Sequence, residues 1–174
     1  MEKVISSKIV FECPVFKVEE AEVELKDGSI AKRWYVVKND AVAVVCLRDG
    51  RVILTKEYRS ASQNIQWRLP AGGVHEGEDL KDAAIRETRE EVGLEPLDIK
   101  LLKIFPSTSS IIKQNTHCFL ATRFKVNPSA TGEKEEQDIE VRELTIEEIK
   151  DLLNNGQIPD GISRCLKVAL DELK

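Results

Sequence analysis

Residues 72–94 read GGVHEGEDLKDAAIRETREEVGL. Asp79 stands where a helix N-cap belongs, with Asp82 at the third helical position, an imperfect capping box. Gly93 stands where a left-handed C-cap belongs, so the stretch predicts a helix over 80–92. At about 100° per residue, Glu91 falls about 40° from Glu87 and Glu90 about 60° to the other side, so the three share one face. Leu80, Ala83, Ala84, Thr88 and Val92 remain to pack toward the body. Like charges one turn apart destabilise a helix by a few tenths of a kcal/mol. Two explanations compete: a solvated face balanced by Arg86 and Arg89, or carboxylates gathered for a hard divalent cation such as Mg²⁺ or Mn²⁺.

The wider pattern favours the second. Gly72, Glu78, Arg86, Glu87, Glu90, Glu91 and Gly93 form G-x5-E-x7-R-E-x-x-E-E-x-G. Seven fixed matches arise by chance on the order of 10⁻⁸–10⁻⁹ per starting position. The stretch resembles the Nudix hydrolase signature, with Thr88 where that family usually carries a bulky aliphatic residue at a packing position. The resemblance implies an α+β fold, an α/β/α sandwich around a mixed central sheet. It implies Mg²⁺, with Mn²⁺ as a substitute, held by Glu87, Glu90 and Glu91 against a diphosphate. The carbonyl of Ala71 would add a ligand, and Glu78 would support the loop or reach metal through water. Arg86 would orient the glutamates by ion pairing. His75, at a variable position of the signature, and His117 are expected to be structural or exposed.

Upstream, residues 8–38 read as short strands with a hairpin at Asp27-Gly28. AVAVVCL (41–47) is a continuous apolar run, expected as a strand buried on both faces. Asp49-Gly50 turns the chain into RVILTKEYR (51–59), and LPAGGV (69–74) reads as a Gly/Pro loop. Downstream, 97–105 and 117–126 read as strands, 129–138 as a polar loop, and 139–145 as a strand entering a helix over 146–154 capped by Thr145 and Glu148. A last helix is expected over 162–173.

Beyond the signature, DAVAVVCLRDGRVILTKEYR followed by WRLPAGG is similar to the ADP-ribose pyrophosphatase branch of the family, and the similarity covers nearly the whole chain. It implies that residues 1–40 form extra antiparallel strands exchanged across a homodimer, as part of one domain with the hydrolase region 41–174. Trp34 would there stack on adenine or pack in the dimer interface. Arg59 and Arg68 would reach phosphate or terminal ribose, although Arg68 occupies a place where that branch carries an acid. After the signature that branch often has Pro-Ser-Pro-Gly, and here Thr108 and Ser109 follow Pro106-Ser107. A late glutamate, base or extra metal ligand, would be Glu135 or Glu136, with Gln137 where an acid is expected. The implied reaction is cleavage of a nucleoside diphosphate sugar, ADP-ribose first, to a nucleoside monophosphate and a sugar phosphate. A nucleoside-triphosphate pyrophosphatase and a non-catalytic nucleotide-binding regulator are the alternatives.

The composition fits this. The chain has 174 residues, 41% hydrophobic and 33% charged, with net charge −5. That length suits one domain with a real core. The acidic balance argues against nucleic acid as a partner. Cys13, Cys46, Cys118 and Cys165 form no CxxC, so neither zinc nor a disulfide framework is expected. The polar N-terminus and the lack of an apolar run near the roughly 20 residues of a membrane helix predict a cytoplasmic protein with no membrane partner.

Overall fold

A computed structural model of the chain describes residues 2–126 and 139–173. The expected late glutamates, Glu135 and Glu136, and Gln137 lie outside the described residues. The chain packs as two compact units, residues 1–40 with 105–116, and residues 41–104 with 117–174.

In the first unit, β1 (Lys3–Glu12), β2 (Lys17–Glu24) and β3 (Ile30–Val37) form an antiparallel meander. Gly28, at φ 82°, makes the expected turn between β2 and β3. Ile112–Lys113 add a short strand parallel to β3, completing the order β1-β2-β3-Ile112–Lys113 and drawing 105–116 into this unit. Ala21 and Val23 are buried, whereas β1 is exposed along its whole length.

The second unit carries the larger sheet. β4 (Ala41–Arg48) and β5 (Arg51–Arg59) are joined through Asp49 and Gly50 at φ 51° and 73°, the left-handed pair that a two-residue hairpin turn requires. β6 (Asn64–Arg68) pairs with β5, and β7 (Ala71–Gly73) with β4. β7 corrects the reading of 69–74 as loop: β4 supplies a backbone partner that local propensity does not reveal. β8 (Leu94–Pro96) follows the first helix, and β9 spans Lys100–Pro106. With the Ile112–Lys113 strand counted as β10, the expected strand over 117–126 divides into β11 (Asn115–Ala121) and β12 (Phe124–Val126). β11 lies in the large sheet, while β12 pairs with β8. β13 (Glu140–Thr145) closes the order β13-β5-β4-β11-β9.

Helix α1 (Leu80–Val92) has the expected bounds, with Asp79 accepting from the Lys81 N–H at 2.8 Å and Gly93 left-handed at φ 69°. Its Ala83 and Ala84 pack with Val42, Val44, Cys46, Ile53 and Phe119 on one face of the sheet. On the other face Cys118 of β11 approaches the Cys165 carbonyl of α3 (Asp160–Glu172) at 3.9 Å. This gives the α/β/α layering. The intervening α2 (Ile146–Asn154) opens with the full Thr145–Glu148 capping box. All four cysteines are free thiols. Among the described residues no helix is long and apolar enough to cross a membrane.

Candidate active site

The loop before α1 and the last two turns of α1 build one charged cluster around Arg86. The Arg86 guanidinium grips Glu78 with two parallel bonds, Nε to Oε1 at 2.8 Å and Nη2 to Oε2 at 3.0 Å. Nη1 reaches Glu87 at 2.6 Å and Glu90 at 3.2 Å, and Nη2 donates to the Gly73 carbonyl at 3.0 Å. The His75 N–H donates to Glu78 at 2.8 Å, closing the loop on itself. This fork geometry suits arginine and not lysine. Arg86 holds the Glu78 carboxyl down to about 2.

Glu87 and Glu91 behave in the opposite way. Glu87 is 8% exposed, and burial raises its pKa against the pull of Arg86. Burial, then the Glu87 charge, push Glu91 up to about 8, although Glu91 Oε2 accepts from the Ala71 N–H at 3.2 Å. Gly72 explains how Glu87 fits: a Cβ there would overlap the Glu87 carboxylate. Thr88 is fully buried, and its hydroxyl donates to the Ala84 carbonyl at 2.7 Å, so the departure from an aliphatic leaves no unpaired group.

Among the described residues no three acid side chains already converge as a metal cage. The donor set nevertheless fits a hard divalent cation. It is all carboxylate oxygen, and Arg86 engages only one oxygen each of Glu87 and Glu90. Glu91 adds a carboxylate that no cationic side chain among the described residues hydrogen-bonds, beside the backbone of Ala71. Water and substrate oxygens would complete such a shell.

The other expected residues fall in three groups. Arg59 and Arg68 lie on the β5–β6 hairpin, and sequence reasoning missed what joins them. Glu57 takes Arg68 Nε at 3.2 Å on one oxygen and Arg59 Nη1 at 3.3 Å on the other. The alternation Glu57, Arg59 put both on one face of a strand and was visible in the sequence; the Arg68 contact needed the β5–β6 register. Trp34 lies in the first unit on β3, 52% exposed. His75 is exposed and His117 is buried in β11.

A model of the NUDIX domain matches residues 37–163. The chain is 29% identical over 161 residues to the ADP-ribose pyrophosphatase of Bacillus subtilis (strain 168), covering 92% of this chain and 87% of that protein. It is 28% identical to the ADP-ribose pyrophosphatase of Mycobacterium tuberculosis (strain ATCC 25618 / H37Rv), covering 91% and 78%. The methanol dehydrogenase activator of Bacillus methanolicus is also 28% identical, over 92% of this chain and 87% of its own. Among solved structures, an ADP compounds hydrolase shares the fold with TM-score 0.86 and 21% identity, over 99% of this chain and 94% of that one.

Proposed function

The chain belongs to the NUDIX domain family, and from that premise we propose that it is a Mg²⁺-dependent pyrophosphohydrolase that cleaves nucleoside diphosphate sugars, ADP-ribose first, to AMP and ribose 5-phosphate. The observation that carries this reading is geometric: Arg86 gathers Glu78, Glu87 and Glu90 while engaging one oxygen each of Glu87 and Glu90, and Glu91 stands beside the Ala71 backbone. Similarity over most of the chain to two ADP-ribose pyrophosphatases supports the choice of substrate.

Glu87, Glu90 and Glu91 would hold the cation, with Ala71 beside Glu91 and Glu78 bracing Arg86. A cation bound there polarises phosphoryl oxygens and lowers the pKa of water. Arg59 and Arg68 receive the negative charge of the diphosphate. Water attacks one phosphorus, the bridging P–O bond breaks, and the proton from water is taken by a base that we assign to Glu135 or Glu136. Mn²⁺ would serve in place of Mg²⁺, since both favour carboxylate oxygen.

We further propose a homodimer through the N-terminal strands. Val4, Ile5, Ile9, Val10 and Phe11 are all about half exposed along β1, more apolar surface than a lone strand usually shows to water. Trp34→Ala separates its two roles: a raised KM for adenine substrates supports stacking, and a dissociated dimer at unchanged KM supports packing.

A second reading, a regulator of another enzyme, is favoured by the relative named as an activator. The intact acids favour turnover. Hydrolysis of ADP-ribose, ADP-glucose, GDP-mannose, diadenosine polyphosphates and nucleoside triphosphates with Mg²⁺, products resolved by chromatography, tests the proposal. AMP plus ribose 5-phosphate is expected. Pyrophosphate release from triphosphates would place the enzyme among the sanitising hydrolases, and binding without turnover would support the regulator.

A further inference from the structure

Resting on the reading of this site as a diphosphate site, we infer that Glu57 is a positioning residue that sets Arg59 and Arg68 as a paired anion clamp beside the acids of α1. The register of β5 with β6 places Thr55 opposite Arg68 and Glu57 opposite Gln66, so Thr55, Glu57, Arg59 and Arg68 share one face of the hairpin. Ile53 lies on that same face of β5 and packs with Ala83 and Ala84, so the row faces the α1 side of the sheet. Within it the Glu57 carboxylate divides its two oxygens, Oε1 to Arg68 Nε at 3.2 Å and Oε2 to Arg59 Nη1 at 3.3 Å.

Two guanidiniums on neighbouring strands repel each other and would splay without a shared anion. Glu57 is only 18% exposed at its side chain, and Arg68 25%, so the pair is set in a partly desolvated place. Glu57 meets Arg68 through Nε, and the remaining guanidinium nitrogens of both arginines have no partner among the described residues. They can therefore face a second oxyanion. The Thr55 hydroxyl, opposite Arg68 in this row, is fully buried with no hydrogen-bond partner among the described residues.

The charge of Glu57 gives the test its sign. By charge alone, neutralising an acid near an anion site tightens anion binding. A positioning role predicts the reverse. Calorimetric titration of the full chain with Mg²⁺-pyrophosphate reads this without depending on which nucleotide is preferred. Glu57→Gln should weaken pyrophosphate binding about tenfold, as for a lost partner in a hydrogen-bonded charge network. In an Arg68→Gln background the same change should have a much smaller effect, because coupled residues are not additive. Glu57→Asp keeps the charge and draws it back, so weakened binding there is geometric, and it serves if the Gln variant does not fold. With ADP-ribose as substrate, KM should rise more than kcat falls. Glu57→Gln binding pyrophosphate as tightly as the unaltered protein, or more tightly, would overturn the assignment, as would no pyrophosphate binding at all. Pyrophosphate binding that follows these expectations while ADP-ribose is not turned over would leave Glu57 in place and overturn the substrate reading instead.

Discussion

Two groups of shielded glutamates in this molecule are treated in opposite ways. On β2, Glu19 and Glu20 keep only 14% and 17% of their side-chain surface exposed. Lys113 meets Glu19 at 2.7 Å, and Lys32 and Lys8 meet Glu20 at 3.2 and 3.5 Å. Both carboxyls are held below their ordinary pKa, chiefly by those lysines. On α1, Glu87 is as shielded, at 10% of its side chain, but it shares Arg86 with Glu78 and Glu90. Burial raises its pKa against the pull of Arg86, and burial with the Glu87 charge pushes Glu91 up to about 8. Acids that serve only the fold are matched by cations. Acids left with too few are expected to receive their cation from solution.

The sharpest way to break this comparison is Glu91→Gln. It should lower hydrolysis about a thousandfold, on the scale of removing a preorganised electrostatic contact at the reacting group. Rates near normal in a steady-state assay would remove Glu91 from the cation site. Next is Arg86→Ala. It strips the shared cation from Glu78, Glu87 and Glu90 and should destabilise the protein by about 3 kcal/mol in denaturant unfolding. Arg86→Lys should recover little of that, since an ammonium cannot make the two-bond grip on Glu78. Smallest is Glu19→Gln on β2, an acid with its own lysine. Its unfolding free energy should change by less than about 1 kcal/mol, and a larger loss would mean that the β2 acids are as critical as those of α1.

The sequence made one part of this legible because local signals carried it. Asp79 and Gly93 bound α1, Asp49-Gly50 fixes the β4–β5 turn, and Thr145 with Glu148 opens α2. Helix caps and hairpin turns depend on a few adjacent residues. The short strand β7 was not legible, because Gly72 and Gly73 carry no strand propensity, and β6 (NIQWR) was too short to stand out until β5 offered it an edge. The same gap hid Glu57. Its link to Arg68 crosses a hairpin whose register comes from the fold. The raised pKa values on α1 were equally invisible, since a row of glutamates does not say how deep each carboxylate sits.

The pH dependence of Glu91 gives the most direct test of the account. An unfolded glutamate titrates near ~4.3. Glu91 in the fold is pushed up to about 8, so the folded state binds the proton more tightly. Its contribution is therefore fully present below the unfolded value and is lost as pH rises through that window to about 8. Glu91→Gln mimics the protonated form and removes the loss. The measurement is the melting temperature of the unaltered protein and of Glu91→Gln at pH 8.5, in chelator and in excess Mg²⁺. In chelator the variant should melt higher, by about 3 °C or more. In Mg²⁺ the order should reverse, because a cation bound only by the folded acids stabilises the unaltered protein by mass action. The same order in both conditions, with the unaltered protein always the more stable, would contradict the claim that α1 holds its acids for a metal ion.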